Sequence, residues 1–418
     1  MTRTQLVRLK LKETRREQAD ALRREAGRAW SEMLTFHWRV YRKKGRWLSK
    51  FALQRWARGR YALHSQSIQA LADKLHANFE TARQLRRGGD GAARFPYKRK
   101  DFQVVVWKGQ AMRVRGGRVV LPNGRGRPCF SVRLPAHLRA APLRQAELVW
   151  RNGEYWLACA VDRPAEQPGS GERLAAVDMG EVQAMALTDG EEALVISGRA
   201  SRSVKRWRNK RLGDLARLLS RCQGGSRRSR KLQRAKNRVK ARAQRRLRDL
   251  DHQASRLAVN WLLARSCGTV VMGELRNIAN GQRLPRVSQQ KVSQWQRGRQ
   301  ERYIEYKFSA QGGKVVYRSE RGTSSTCPRC GRHVHPHGRV FQCGCGFVGH
   351  RDVVGASGIL GLAEKGQVHG ARVPTVVKYR LPAEFRRGRR SPADTGPSGL
   401  GHVPNATTGP PPQESHAF

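Results

Sequence analysis

The chain has 418 residues, enough for two or three domains, and it carries 84 Lys and Arg against 31 Asp and Glu, a formal net charge of +53. A compact state with so much like charge needs a polyanion to neutralise it, and nucleic acid is the common one. Charge alone fits a ribosomal or chromatin-type binder as well as an enzyme, whereas the lack of any long apolar run excludes a membrane-spanning protein.

The N-terminal part of the sequence changes from a strand pattern to a helical pattern and back. The first dozen residues alternate charged and apolar side chains, and residues 14–87 have helical periodicity. Strand patterns return after residue 100 and end in a hairpin over 146–161, which turns at Asn152-Gly153. We therefore predict a β-barrel over residues 1–165 with a helical insertion at about 14–87.

A second unit is predicted over residues 172–362. It begins with an apolar strand, and residues 199–250 then form a very basic stretch with two narrow apolar seams. This pattern predicts a hairpin of two helices with cationic faces. The segment 363–418, rich in Arg and then in Gly, Pro and Ser, is predicted to be largely disordered.

The cations of the basic hairpin are too numerous for salt bridges with the few acids around them. Arg suits a phosphate-binding surface because its planar guanidinium forms two parallel hydrogen bonds with a phosphate. We predict nucleic-acid contacts by Arg206, Arg208, Lys210, Arg211, Arg227, Arg228, Lys231, Arg234, Lys236, Arg238, Lys240 and Arg242.

Four of the eight cysteines cluster in the segment 322–349, in the motifs Cys-Pro-Arg-Cys-Gly and Cys-Gly-Cys-Gly. Four thiolates at such spacing suit a structural zinc ion with no open coordination position, and such a cluster is typical of a reducing compartment. The second pair has one intervening residue where a zinc ribbon more usually has two, so a nearby histidine is an alternative ligand. The predicted ligands are Cys327, Cys330, Cys343 and Cys345, with His333, His335, His337 or His350 as alternatives.

Three acids follow apolar strands or begin a helix: Asp178, Glu274 and Asp352. An acid at the end of a buried strand is costly to desolvate unless a cation or an ion pair compensates it. Three carboxylates that meet from separate elements can hold two Mg²⁺ ions about 4 Å apart and hydrolyse a phosphodiester. For any one of these acids alone, a turn cap or an ion pair is an equally good interpretation.

The motifs taken in order resemble those of TnpB proteins, the RNA-guided nucleases of insertion elements that are related to type V CRISPR effectors. The resemblance covers most of the chain, weakly in the first 90 residues. The motifs that carry it are Val177-Asp-Met-Gly180, Val270-Val-Met-Gly-Glu-Leu275, Thr323-Ser-Ser-Thr-Cys-Pro-Arg-Cys-Gly331, Phe341-Gln-Cys-Gly-Cys-Gly346 and Arg351-Asp352.

The resemblance implies a mixed α/β and β fold, with the N-terminal β-barrel followed by an RNase-H-like (RuvC) α/β domain into which the zinc ribbon is inserted. It implies a Mg²⁺-dependent DNA endonuclease with Asp178, Glu274 and Asp352 as catalytic magnesium ligands. A guide RNA and target DNA would be its partners, with no membrane and no small-molecule substrate. Such a protein would be cytoplasmic and associated with the nucleoid.

Two motifs depart from the TnpB pattern. In many TnpB proteins the second motif reads Glu, any residue, Leu, whereas here Gly273 stands two residues before Leu275 and Glu274 directly precedes it. Because strand side chains alternate, a shift of one residue moves a side chain to the other face of the sheet. The third motif usually continues Asp-x-Asn-Ala-Ala-x-Asn, and here it reads Asp352-Val-Val-Gly-Ala-Ser-Gly358. An RNA-guided DNA-binding protein or repressor with weak or no cleavage is therefore one alternative, and a DNA-joining transposase is another.

A protein of this kind must also read a short duplex motif beside its target. Ser65 and Gln69 lie one turn apart in the helical insertion, and Gln can form two hydrogen bonds with adenine. A solvent-facing polar pair is the more common reason for such spacing.

Overall fold

The computed structural model describes residues 2–162, 171–274, 285–336 and 338–382. The chain has a mixed α/β fold and divides into two compact units, residues 1–164 and 165–418. Each unit has its own hydrophobic core. Among the described residues, no helix has the length and apolar character that crossing a membrane requires.

Three helices account for the helical pattern of residues 14–87: α1 (Glu13–Lys44), α2 (Lys50–Ala57) and α3 (Ser65–Arg87). Their apolar stripes meet in one core, where Met33 and Leu75 are fully buried. The periodicity of residues 14–87 thus reflects packing of the helices on one another and on the sheets.

The seven strands of the N-terminal unit form two antiparallel sheets. They are β1 (Thr2–Leu9), β2 (Val105–Lys108), β3 (Arg113–Arg115), β4 (Arg118–Leu121), β5 (Phe130–Arg133), β6 (Leu143–Arg151) and β7 (Glu154–Asp162), with the short helix α4 (Ala136–Arg139) after β5. One sheet has the order β1-β7-β6-β2 and the other β3-β4-β5. The β6–β7 hairpin turns at Asn152 and Gly153, both with positive φ (51° and 85°), as the sequence predicts.

A six-stranded sheet in the order β12-β11-β8-β9-β10-β15 is the centre of the C-terminal unit. Its strands are β8 (Arg173–Asp178), β9 (Gln183–Thr188), β10 (Glu192–Ser197), β11 (Cys267–Glu274), β12 (Lys314–Ser319) and β15 (Val376–Arg380). Strands β8, β9 and β10 form an antiparallel meander, whereas β11 is parallel to both β8 and β12.

Helices cover both faces of this sheet. They are α5 (Arg199–Ser220), α6 (Arg227–Ala264), α7 (Arg286–Ser293), α8 (Arg297–Ser309) and α9 (Arg351–Lys365), and a short hairpin of β13 (Val340–Gln342) and β14 (Val348–His350) precedes α9. On β8, Ala175 and Val177 pack beneath α6, whereas Ala176 packs against Ile359 and Leu360 of α9. Alternate residues of a central strand therefore point to opposite helices.

The structure extends two elements beyond their predicted bounds. The second helix of the basic hairpin and the following apolar helix are one continuous helix, α6, because neither Gly nor Pro interrupts the chain between Leu250 and Leu257. The segment 363–418 was predicted to be largely disordered, but its described part, up to residue 382, contains β15. That strand pairs in parallel with β10, and Val377 packs against the core that includes Val195.

We expect Leu262→Ala to lower the free energy of unfolding of the C-terminal unit by about 2–5 kcal/mol, because Leu262 is fully buried between α6 and the sheet. The matched control is Leu218→Ala in α5, where the side chain is 40% exposed and the loss should be small. Thermal unfolding by calorimetry measures both variants, and equal shifts for the two would contradict this packing.

Candidate active site and metal centre

Asp178 is the last residue of β8, at the carboxyl end of the strand. Asp178 lies two residues after Ala176 on β8, so the two side chains are on the same face of the strand. Because Ala176 packs against α9, the Asp178 side chain also faces that helix. The Asp178 Oδ2 atom lies 2.6 Å from the position that a Cβ would take at Gly355 of α9. The missing side chain at Gly355 therefore gives the Asp178 carboxylate its room.

Asp352 lies in the first turn of α9, which begins directly after β14. Gly355 is three residues further along the helix, so Asp178 approaches the face of α9 that also carries Asp352. The Asp352 charge raises the pKa of Asp178, in addition to the larger effect of burial. The structure thus brings together two of the three acids that the sequence singles out, although they are far apart in the chain.

Glu320 supplies a third carboxylate that the sequence analysis missed. It follows β12, whose Arg318 pairs with Gly273 of β11. A Cβ added at Gly273 would collide with Glu320 Oε2, so the Glu320 side chain fills the space above this glycine. Gly273 stands where the TnpB pattern has its glutamate. The sequence therefore signalled that Gly273 occupies the position of the motif glutamate in TnpB. Only the pairing of β11 with β12 shows that the Glu320 side chain fills the space above Gly273.

Glu274 projects from the other face of β11. Met272 packs beneath α6, whereas Val271 packs against α9. Side chains alternate along a strand, so Glu274 points to the same side as Met272, and Gly273 faces the carboxylates with Val271. The geometry of β11 therefore keeps Glu274 away from Asp178 and Asp352. This outcome agrees with the one-residue shift in the motif, which moves a side chain to the other face of the sheet.

Asp178 lies in a poorly solvated place, where Glu320 and Asp352 repel its carboxylate. Burial raises the pKa of Asp178 to about 7, and Glu320 and Asp352 add to this rise. Burial also raises the pKa of Glu320 to about 7, against the opposing effect of Arg297. Acids with such pKa values retain protons at neutral pH unless a cation compensates their charge. Carboxylate oxygens are also the ligands that Mg²⁺ prefers.

Two arginines lie near this cluster: Arg339 is paired with one of its acids, whereas the ion-pair partner of Arg297 is Glu301, at 2.7 Å. Arg339, directly before β13, donates from Nη1 to Oδ2 and Oδ1 of Asp352 at 2.9 and 3.2 Å. Arg297, the first residue of α8, donates to the Gly273 carbonyl at 3.3 Å and lowers the pKa of Glu320. Neither arginine carries a sequence pattern that distinguishes it from the many others in this basic chain.

The four predicted zinc ligands are gathered at one point. The sulfur atoms of Cys327, Cys330, Cys343 and Cys345 all lie within 4.8 Å of one another, and no other set of His, Cys, Asp or Glu ligand atoms among the described residues is grouped this tightly. The distance is 3.6 Å between Sγ of Cys330 and Cys343 and 3.7 Å between Sγ of Cys327 and Cys345. Of the alternative ligands, His333, His335 and His350 do not join this group, and His337 lies outside the described residues. The donor set fits tetrahedral zinc.

A backbone N–H group in the first cysteine turn favours the thiolate of Cys330, whereas burial raises the pKa of Cys327 to about 11. The Arg332 N–H donates to the sulfur of Cys330 and, as the largest of several effects, lowers the pKa of Cys330 to about 6. The cysteine site is continuous with the carboxylate cluster, because β14 runs directly into α9 and Val340 of β13 pairs with His350.

The basic hairpin of α5 and α6 exposes most of the cations predicted to contact nucleic acid. Arg208 is an exception, since its guanidinium donates to Gln294 Oε1 at 2.6 Å, and Lys236 and Lys240 are half-buried. The exposed members are Arg206, Lys210, Arg211, Arg227, Arg228, Lys231, Arg234, Arg238 and Arg242. In the N-terminal unit, Ser65 and Gln69 are both exposed near the start of α3.

Comparison with known proteins relates the chain to small CRISPR effectors. Residues 298–359 match the family described as "Cas12f1-like, TNB domain", a segment that includes Glu320, Arg339 and Asp352. A search of curated protein sequences gives no match. The solved structure described as "Cryo-EM structure of the Cas12f1-sgRNA-target DNA complex" has the same fold, with a TM-score of 0.56 at 13% identity over 85% of this chain and 84% of that chain.

Two further solved structures are less similar. One is the "Cryo-EM structure of CRISPR-Cas12f Ternary Complex", with a TM-score of 0.34 at 15% identity over 82% of this chain and 81% of that chain. The other is the "Structure of the mini-RNA-guided endonuclease CRISPR-Cas_phi3", with a TM-score of 0.32 at 12% identity over 55% of this chain and 52% of that chain. The chain thus has the fold of the Cas12f1 structure and carries a segment similar to the Cas12f1-like TNB domain, and both findings agree with the TnpB resemblance of its motifs.

Proposed function

We propose that the chain is an RNA-guided DNA endonuclease that hydrolyses DNA phosphodiesters with the aid of Mg²⁺. The observation that carries this proposal is the meeting of Asp178, Glu320 and Asp352 at one edge of the central sheet. The strand order β10-β9-β8-β11-β12 agrees with the RNase-H-like (RuvC) domain that the TnpB resemblance implies. The net charge of +53 supports nucleic acid as the substrate and partner.

Asp178, Glu320 and Asp352 would be the Mg²⁺ ligands of this enzyme, with Glu320 in the role that the sequence assigned to Glu274. Bound Mg²⁺ activates a water molecule and stabilises the leaving oxygen of the phosphodiester. Arg297 pairs with Glu301 at 2.7 Å and contacts the Gly273 carbonyl, and its charge favours the ionised form of Glu320. The raised pKa values of Asp178 and Glu320 are typical of carboxyl groups whose ionised form is stabilised by a bound cation.

Arg339 would bind the phosphate of the DNA strand that is cut. Its guanidinium contacts Asp352, yet the side chain remains 43% exposed, so it can reach outward from the carboxylates. With a cation bound, Asp352 would hold Arg339 less strongly. The guanidinium is then available to a phosphate oxygen, with which it forms charge-assisted hydrogen bonds.

Guide RNA and target DNA are the partners that we propose. The Cas12f1 structure with the same fold is a complex with an sgRNA and target DNA. In such complexes base pairing reads the sequence and the protein holds the backbone of the duplex. The exposed cations of α5 and α6 are suited to that task. Like TnpB, the protein would be encoded by an insertion element and would act in the cytoplasm on nucleoid DNA, with Ser65 and Gln69 as candidates for reading a flanking motif.

A structural Zn²⁺ ion would be held by Cys327, Cys330, Cys343 and Cys345. The sulfur atoms already lie within 4.8 Å of one another, so they would need little rearrangement to bind the ion. Since the β13–β14 hairpin continues into α9, zinc would fix the start of that helix and, with it, Asp352. Its role in catalysis would be to position residues.

An RNA-guided DNA-binding protein with weak or no cleavage is the second candidate. The carboxylates are grouped less tightly than the cysteines, and Arg339 already neutralises Asp352. If binding of cations did not displace Arg339, the chain would occupy its target without cutting it. Cleavage and binding must therefore be measured separately on the same complexes.

We expect Glu320→Gln to reduce cleavage by more than about 100-fold, since it removes a charged ligand from the metal site. Glu274→Gln, on the opposite face of β11, is the matched control and should cut like the unmodified protein. The measurement is single-turnover cleavage of target DNA in Mg²⁺ by protein purified with its RNA, beside a filter-binding assay for the target. Loss of cleavage in Glu274→Gln alone would contradict the assignment of Glu320.

A double variant tests the same assignment in the other direction. Gly273→Glu combined with Glu320→Gly places the carboxylate where the TnpB motif has it and frees the space that Glu320 fills. We expect it to cut faster than Glu320→Gly alone. Equal rates for the two variants would show that the position above Gly273 is not a metal-ligand position.

Elemental analysis should find one zinc ion per chain. Cys343→Ser should lose it and should also lose cleavage, since the hairpin that leads into α9 would no longer be anchored. Cys129→Ser, at an exposed cysteine in the other unit, should keep both. A zinc-free protein that cuts at the normal rate would exclude the proposed positioning role.

Arg339→Ala should lower the rate of cleavage by roughly 10- to 1,000-fold while target binding stays unchanged, because a charged hydrogen bond to the reacting phosphate is lost. Arg321→Ala, an exposed arginine after β12, serves as the control and should have little effect on the rate. Single-turnover rates at saturating Mg²⁺ separate the variants. A faster Arg339→Ala enzyme would instead show that this side chain only competes with the cations.

A further inference from the structure

A cleft of about 600 Å³ lies in the N-terminal unit, between the C-terminal half of α1 and the extended segment that precedes β2. Its volume is in the range of small-molecule and cofactor sites, about 300–1,000 Å³. Two aromatic rings and four cations dominate its lining: Trp38, Arg39, Arg42, Lys43, Tyr97 and Arg99. No acidic residue is part of that lining.

The aromatic side of the cleft combines a fixed ring with an exposed one. The Trp38 indole N–H donates to the Pro96 carbonyl at 2.7 Å, and the ring packs edge-on against Trp47 with 4.9 Å between centroids. Tyr97, the next residue after Pro96, is 57% exposed. The segment that carries Tyr97 is also tied to α1 by two hydrogen bonds between Ser31 and the backbone of Lys100. The structure therefore presents a large aromatic face to solvent from a well-anchored backbone.

Among the described residues, the cations around this ring have no acidic partners. Arg39, Arg42, Lys43 and Arg99 are exposed, and no ion pair to any of them occurs within the part of the chain that the structure describes. Arg42 and Lys43 lie in the last turn of α1, where cations interact favourably with the helix dipole. That effect does not account for Arg39, which lies outside the last turn, or for Arg99, which is not in a helix.

Exposed aromatic rings beside unpaired guanidinium groups are the chemistry that recognises an unpaired nucleotide. Every base can stack on an aromatic ring, and arginine holds the adjoining phosphate. Contact with a duplex backbone alone would use the cations, but it would leave the Tyr97 ring without a role, because the bases of a duplex are stacked on one another. An unpaired base offers the free face that the ring needs.

We propose that this cleft binds one unpaired nucleotide, with its base stacked on Tyr97 and its phosphate held by the cations at the C-terminal end of α1 and by Arg99. The source of that nucleotide rests on the proposed function: it is either an unpaired position of the guide RNA or the DNA strand that the guide displaces. Both sources offer the same base and phosphate chemistry to the cleft.

The binding test uses the full chain and a short single-stranded oligonucleotide that carries one 2-aminopurine, whose fluorescence is quenched by stacking. Tyr97→Ala should weaken binding by about 5- to 100-fold and abolish the quenching, whereas Tyr97→Phe should keep both, because it retains the ring. Phe51→Ala removes another exposed ring, 65% exposed on α2 and outside the cleft, and should change neither quantity. Binding of a blunt duplex should be the same for all of these proteins.

Photo-crosslinking then separates the two sources. The RNA-bound chain is combined with target DNA, with thio-substituted bases either in the RNA or in the displaced strand, and adducts on Tyr97 are located by mass spectrometry. Adducts with either strand support the cleft and identify its occupant. The proposal is overturned if Tyr97→Ala keeps the affinity and the quenching, or if it weakens single-stranded and duplex binding equally. Neither assay requires DNA cleavage, so a chain that binds through Tyr97 but never cuts would refute the nuclease proposal and leave the cleft standing.

Discussion

The repulsion among carboxylates at the edge of the central sheet is the constraint on which the account of this protein depends. Asp178 is the last residue of β8 and faces α9. Burial raises its pKa, and the charges of Glu320 and Asp352 raise it further. A chain that places three acids so close together loses stability unless protons or cations relieve the repulsion. Because such an arrangement is costly in a chain with few acids, it is the main support for the cation site that we propose.

The surroundings of these acids show how the fold holds them in place. Glycines at two positions provide the room: Gly355 admits the Asp178 carboxylate, and Gly273 admits that of Glu320. The cysteine site and α9 are joined through β14, so the proposed zinc ion would fix the start of α9 and, with it, Asp352. Arg339 pairs with Asp352, and the charge of Arg297 lowers the pKa of Glu320, so both arginines offset part of the repulsion among the acids.

Local pattern was sufficient to find some of these residues and insufficient for others. Asp178, Asp352 and the four cysteines stand out because a strand end, a helix start or close spacing marks each of them within a short window. Glu320 has no such mark, since its role depends on the pairing of β11 with β12, which places its side chain above Gly273. The sequence predicted Glu274 as a ligand, and the same alternation that identified the strand places this residue on the other face.

The observed elements agree with those predicted from the sequence where the periodicity is strong. They differ where contacts between distant parts of the chain determine the secondary structure. The β6–β7 hairpin turns where Asn152-Gly153 requires it, and the stripes of α1 and α3 are buried as predicted. The strand β15 was not predicted, because two of its five residues are charged and the pattern is weak, and its pairing with β10 provides the stability. The family match over 298–359 and the Cas12f1 fold agree with the resemblance drawn from the motifs.

The central claim is that Asp178, Glu320 and Asp352 hold the cations of a nuclease. Its most direct test is a structure of the RNA- and DNA-bound chain with Mn²⁺ in place of Mg²⁺, in which anomalous scattering locates the metal. We expect anomalous peaks in contact with these three carboxylates and with a phosphate of the DNA. A peak beside Glu274, or none near Asp178 at saturating Mn²⁺, would contradict the account.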